Sequence, residues 1–271
     1  EKLHPFDGHP FKVKDDDEMN TLIESIQTQG ILSPLIVRPI EHTDEYEVIS
    51  GHRRLHAAQK AGITEVPALI YALDRDAAAI AVVDSNLHRD HILPSEKAFA
   101  YKLKRDAMAH QGRTSPQLGE KSLTVEKIGA ETGDSKNQVL RYIRLTHLIP
   151  ELLDLMDEGK IALMVGEALS YLGDEEQYAV LEQCEINDCT PSYAQAVEMK
   201  KRYQDENLTA ENISEILSRE KANQRETIKI PTEKLRKYAP NADAKQLEDF
   251  IIKACEHYRK FLIRQRNRDE R

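Results

Sequence analysis

The stretch from Val48 to Ala57 reads V-I-S-G-H-R-R-L-H-A. Two apolar residues, Val48 and Ile49, close a strand-like run, and Ser50-Gly51 makes a corner. His52-Arg53-Arg54 then opens a segment in which Leu55, Ala58 and Ala61 recur at helical spacing. A glycine at a strand-to-helix corner lets backbone approach a ligand closely. The free N–H groups of a helix start suit an anion. Two adjacent arginines are poor company for a helix end that already repels cations. They fit if a polyanion such as a triphosphate lies there and takes planar, multi-donor partners. Gly51, His52, Arg53 and Arg54 are therefore candidate phosphate residues. The alternative is a solvated arginine pair on a surface helix, since a short glycine-plus-basic corner is a weak motif. Farther on, Asn86 and Arg89 stand three apart and offer an amide and a guanidinium to the same ligand. Taken locally, ordinary capping of a helix C-terminus is the better account of them.

A second set of residues suits nucleic acid. Ser122 to Gly133 carries Val125, Ile128 and Ala130 on one side, with Thr124 placed to cap a short helix. Gly133-Asp134 makes a turn. Ser135 caps a second helix with Val139, Leu140, Ile143 and Leu145 on its apolar side. Lys136, Asn137, Gln138 and Arg141 lie along the other side. Short helix, tight turn and second helix with polar N-terminal residues is the helix-turn-helix pattern. Asn, Gln and Arg can bond base edges, while Ser and Lys hold phosphates. The candidate DNA residues are Lys121, Thr124, Ser135, Lys136, Asn137, Gln138, Arg141 and Arg144. The alternative is an ordinary pair of bundle helices.

Charge distribution favours the DNA reading despite a net charge of −9 over 271 residues. From Glu96 to Thr146 there are ten Lys/Arg against six Asp/Glu, a balance of +4. From Glu151 to Glu220 there are five against seventeen, or −12, and from Lys253 to Arg271 seven against three, or +4. Local field rather than net charge decides where phosphates settle. The chain is 31% charged with no Trp, as expected of a soluble, helix-rich cytoplasmic protein. No apolar run approaches the roughly 20 residues of a membrane span, and no signal peptide is expected. Three cysteines without C-x-x-C spacing argue against a disulfide framework or zinc site.

The elements that must position these residues read as α+β. A helix is expected from Asp15 to Gln29, with strands at Leu35–Arg38, Tyr46–Ile49 and Val66–Tyr71. Helices at Arg53–Lys60 and Arg75–Leu87 fill the gaps, giving a small α/β module over residues 1–91. Ser95 is expected to cap a helix to His110, and Gln111 to Lys121 reads as a loop. Residues 92–221 form an all-α helix-turn-helix domain. Ile228–Pro231 opens a tail module within residues 222–271. There an amphipathic helix from Asp243 to Arg268 cannot bury its own stripe and is a candidate dimer element.

Several of these segments resemble one family in order. Gly51-His52-Arg53-Arg54 resembles the G-E-R-R box of the ParB partition proteins. Gly30 to Val37 is similar to the segment before that box. Asn86-Leu87-His88-Arg89 resembles the N-x-Q-R part of their E-N-x-Q-R box, and Pro94 to Ala98 continues the likeness, which runs from about Pro10 to Leu172. The chain looks most like the ParB-like proteins of plasmids and mobile elements. The resemblance implies a ParB/sulfiredoxin-like N-terminal fold that binds CTP with Mg2+. It implies a homodimer whose helix-turn-helix holds a centromere-like inverted repeat and whose clamp closes on nucleotide binding. A ParA-type ATPase partner and a cytoplasmic, nucleoid-associated location follow. By position, Gly51, Arg53 and Arg54 hold phosphates, with Asn86 and Arg89 beside them. Two departures bear on catalysis: His52 and Ser85 stand where the family has Glu, so at most a weak CTPase is expected. Asp84 is one position away. The rival reading is a helix-turn-helix regulator or nucleoid-associated protein without a nucleotide switch. Sulfiredoxin or serine-kinase chemistry is disfavoured, because Gly51 and His52 replace the Cys and Glu those enzymes use.

Overall fold

The chain begins with a strand that its own residues do not announce. Strand β1 (Leu3–Pro5) is short, contains His4 and Pro5, and exists because it pairs in parallel with a later strand. The computed structural model describes residues 2–89, 91–111, 120–219, 232–240 and 243–269. Helix α1 (Asp17–Gln29) starts where the Asp16 carboxylate accepts the Met19 N–H at 2.8 Å, and it buries Met19 and Ile26. Gly30, at φ +70°, ends it. Strands β2 (Leu35–Pro39) and β3 (Tyr46–Ser50) are antiparallel neighbours, and helix α2 (His52–Lys60) leaves β3 through Gly51. Strand β4 (Ala68–Ile70) pairs in parallel with β2, so the sheet order is β1-β3-β2-β4.

Helix α3 (Arg75–Asp84) stops three residues short of the expected end, and residues 85–88 form a turn. Asn86 and Arg89 therefore lie beyond the helix and not on one of its faces. Helix α4 (Pro94–Gln111) begins before Ser95, which is not its cap; the Ser95 N–H and hydroxyl donate instead to Asp157. Helix α5 (Glu120–Thr132) also begins earlier than expected. Thr124 is one turn inside it and Lys121 is helical, so neither Thr124 capping nor a loop through Lys121 holds. Helix α6 (Lys136–Leu145) is capped by Ser135 as expected, and Gly133, at φ +76°, makes the turn.

Helices α7 (Pro150–Asp157), α8 (Leu163–Leu169), α9 (Asp174–Ile186), α10 (Tyr193–Gln204) and α11 (Ala210–Ser218) follow. They bury Leu145, Leu152, Leu169, Met199, Ile213 and Ile216 in one apolar cluster. Helix α4 joins the two halves. Its Ala107 packs with Phe6, Ile49, Ala78 and Val82 under the sheet, while its Tyr101 packs with Val125, Ile128, Val139 and Ile143 of α5 and α6. Residues 1–219 thus form one compact unit, and residues 220–271 a second. In the second, α12 (Thr232–Arg236) precedes α13 (Ala244–Asp269). Phe250, Ile252, Tyr258, Phe261 and Leu262 of α13 are exposed, and the Tyr258 and Phe261 rings stack at 6.3 Å. The expected opening of the tail at Ile228–Pro231 lies outside the described residues.

Candidate nucleotide site and DNA-reading helices

Gly51 takes φ +104°, and a Cβ there would stand 3.1 Å from both Leu35 Cγ and Arg54 Nη2. The left-handed conformation favours glycine, and the tight space adds to that preference. No side chain caps α2, so its first N–H groups remain available to an anion. The three residues that follow go different ways. Arg53 lies at the surface and pairs with Glu18 at 3.1 Å and Asp16 at 3.6 Å. Arg54 folds back, donating to the carbonyls of Ser33 and of Pro34, the latter at 3.0 Å. It pins the loop before β2.

His52 points inward. It is 9% exposed, its Nε2 accepts the Phe6 N–H at 3.5 Å, and its ring lies 3.7 Å from that of His9. Burial, then the neighbouring His9 and Arg89, push its pKa down to about 3, against a weaker pull from the Val48 carbonyl. The imidazole is a neutral packing group between β3 and the loop after β1. The expectation that it faces a phosphate does not hold in this arrangement.

At the other edge, Asn86 is 4% exposed, and its Nδ2 donates to the Val82 carbonyl at 2.7 Å and to Ser85 Oγ at 3.1 Å. Its amide NH2 group is engaged within its own turn. Arg89 is solvent-exposed, with Cζ 5.5 Å from the Phe11 ring centre, and makes no ion pair among the described residues. Desolvation lowers its pKa, and Arg53 adds to that lowering while Glu96 opposes it. Arg53 in the first turn of α2 and Arg89, which reaches that end of the helix through the Phe11, His9 and His52 rings, are the cations left facing outward, whereas Arg54, His52 and Asn86 make internal contacts.

The donor set for Mg2+ does not fit. Ser85 Oγ donates to the Val82 carbonyl at 3.0 Å. Asp84, the nearby alternative, is bonded at 2.5 Å to Lys104, which also pairs with Glu131 of α5. Among the described residues no trio of His, Cys, Asp or Glu is placed to hold a metal. Sequence reasoning missed His9 and Lys104, because their partners are distant in the chain and no local pattern marks them.

In the helix-turn-helix, Tyr101 Oη donates to Asp134 at 2.6 Å and Lys97 pairs with Asp134, also at 2.6 Å, fixing the turn on α4. Ser135 and Asn137 are exposed; Lys136 and Gln138 are half-buried, and Lys136 pairs with Glu126 at 2.9 Å. Arg141 pairs with Glu167 of α8 at 3.1 Å. Arg144 donates to the Ser170 carbonyl at 2.7 Å and lies 4.2 Å from the Tyr171 ring centre. Asn137, Arg141 and Arg144 share one side of α6, as their spacing demands. Thr124 is half-buried, and the side chain of Lys121 lies outside the described residues.

The ParB N-terminal domain family model matches residues 1–87. The chain is 34% identical over 176 residues to the chromosome-partitioning protein Spo0J of Thermus thermophilus, covering 65% of this chain and 59% of that relative's length. A C-terminally truncated ParB from Caulobacter crescentus, complexed to the centromeric parS site, matches at 24% identity and TM-score 0.42 over 74% of this chain and 96% of its own. The same protein complexed with CTP-gamma-S matches at 27% identity and TM-score 0.31, over 67% and 93%. By these sequence matches the chain belongs to the ParB partition protein family.

Proposed function

We propose that the protein is a ParB-type DNA-binding protein of plasmid, chromosome or mobile-element partition. A homodimer holds a centromere-like inverted repeat through α5 and α6, and CTP at the Gly51 corner gates its closure around DNA. A ParA-type ATPase is the motor partner, acting at the nucleoid in the cytoplasm. The observation that carries the nucleotide half is the uncapped start of α2, with Arg53 in its first turn and, over the nearby Phe11 ring, Arg89 without a carboxylate partner among the described residues. A cation without a partner beside free helix N–H groups suits a polyanion. Magnesium and hydrolysis have no part in the proposal, because Ser85 and Asp84 are engaged elsewhere.

The test is equilibrium binding of labelled CTP and ATP to the full chain and to its Arg53→Ala and Arg89→Ala variants. Binding of CTP but not ATP is expected, weakened roughly tenfold or more in each variant, as for a lost charge-assisted contact. A second reading, a helix-turn-helix binder without a nucleotide switch, draws support from the internal hydrogen bonds that Arg54 Nη1 and Asn86 Nδ2 already make. DNA binding with no CTP binding at millimolar concentration would select it.

A further inference from the structure

The acidic segment from residue 151 to 220 holds five Lys/Arg, and the fold sorts them. Lys160 pairs with Glu158 at 2.7 Å, Arg202 with Glu198 at 2.7 Å, and Arg219 with Glu198 and Glu215. Lys200 and Lys201 make no ion pair among the described residues. They are the two that line a groove of about 210 Å³ between α8 and α10, together with Glu167 and Tyr193. Lys200 Nζ lies 3.4 Å from the Tyr171 ring centre, and that ring also holds Arg144 at the end of the α6 polar row. Near the same end of α6 stands His147. Desolvation lowers its pKa first, and the charges of Arg144, Lys102 and Arg105 lower it further. Lys102 likewise has no ion pair among the described residues, whereas Lys97 and Lys104 of the same helix are paired.

Within this acidic segment three cations are thus neutralised by carboxylates, while Lys200 and Lys201 are not, and Lys200 shares the Tyr171 ring with Arg144 at the end of α6. Gathering like charges around one aromatic ring raises the free energy of the unbound protein unless an anion lies against them. From this arrangement we infer that Lys200 and Lys201 form a second DNA contact that grips the sugar-phosphate backbone beside the groove read by α6. The ligand is duplex phosphate and not base edges, because ammonium groups act as point charges without a planar donor pattern. The contact rests on the duplex-binding reading above and extends the DNA surface onto α10.

The experiment measures the salt dependence of binding of the full-length chain to a random-sequence duplex and to a duplex selected from random pools. Lys200→Gln/Lys201→Gln is compared with Arg202→Gln, a neighbouring charge removal on the side paired to Glu198. Thermal unfolding of each variant confirms its fold. For the double variant the slope of log affinity against log salt should become shallower by about two units, one per released phosphate contact. Affinity should fall about tenfold at roughly 0.1 M salt, equally on both duplexes, while Arg202→Gln leaves slope and affinity unchanged. An unaltered slope in Lys200→Gln/Lys201→Gln, or an equal loss in Arg202→Gln, overturns the second contact. If the unmodified chain binds neither duplex, the helix-turn-helix reading itself has failed.

Discussion

Acid should weaken this fold through His52 in a measurable way. The imidazole is 9% exposed, accepts the Phe6 N–H, and has its pKa lowered from 6.5 to about 3. Protonation destroys the acceptor and places a cation beside His9 and Arg89. The folded state therefore binds this proton less readily than the unfolded chain. The stabilising contribution is complete above the unfolded pKa of 6.5 and is lost progressively as pH falls from 6.5 toward 3. Over that window the unfolded chain takes the proton, at a cost of about 1.36 kcal/mol per pH unit. From pH 8 to pH 5.5 the linkage works out to about 1.4 kcal/mol for this one histidine. His52→Gln keeps an acceptor of similar reach and removes the titration. Urea unfolding at both pH values should show the unmodified protein losing about 1–1.5 kcal/mol more than His52→Gln on acidification. Equal losses would mean that His52 is accessible to protons in the folded chain, and the buried-neutral assignment would fall. His9, whose own pKa is lowered by burial, titrates in both proteins and largely cancels.

Gly51→Ala forces a Cβ to 3.1 Å from Leu35 Cγ at φ +104°. It should cost about 1–3 kcal/mol in thermal or urea unfolding, and a neutral result would remove the steric requirement for glycine. Lys104 has a side chain only 3% exposed between Asp84 and Glu131. Lys104→Met should be nearly neutral by urea unfolding, whereas Asp84→Asn/Glu131→Gln strands the ammonium and should cost about 3 kcal/mol. Glu167→Gln frees Arg141 from its 3.1 Å pair and removes an acid next to the α6 face. Duplex affinity by fluorescence anisotropy should rise about two- to fivefold, a change consistent with one rim charge. Arg141→Ala should weaken selected duplex more than random duplex, and Lys136→Ala should lower the salt slope by about one unit on both.

Much of the architecture was legible in the residues themselves. Period-3.6 apolar spacing, first-turn acids at the start of α1, Ser135 as a cap, and Gly30, Gly51 and Gly133 as chain reversals all act within a few residues. Local physics therefore places α1, α2 and α6 and the corner between β3 and α2. The places where the reading slipped are those where a distant partner decides. Leu3–Pro5 becomes a strand only against Tyr46–Val48. Ser95 gives up capping for Asp157, which lies 62 positions away.

The sequence by itself determined that a glycine corner with adjacent arginines precedes a helix-turn-helix, because spacing along the chain sets helix faces and turn chemistry. Only the tertiary structure decided which cations stay uncompensated. It turned Arg54 onto the Ser33 and Pro34 carbonyls, buried His52 against His9 and Phe6, and left Arg89, Lys200 and Lys201 without carboxylates among the described residues. A charged side chain reaches several ångströms and pairs with whatever the packing brings near it, and that neighbour is not written in the adjacent residues.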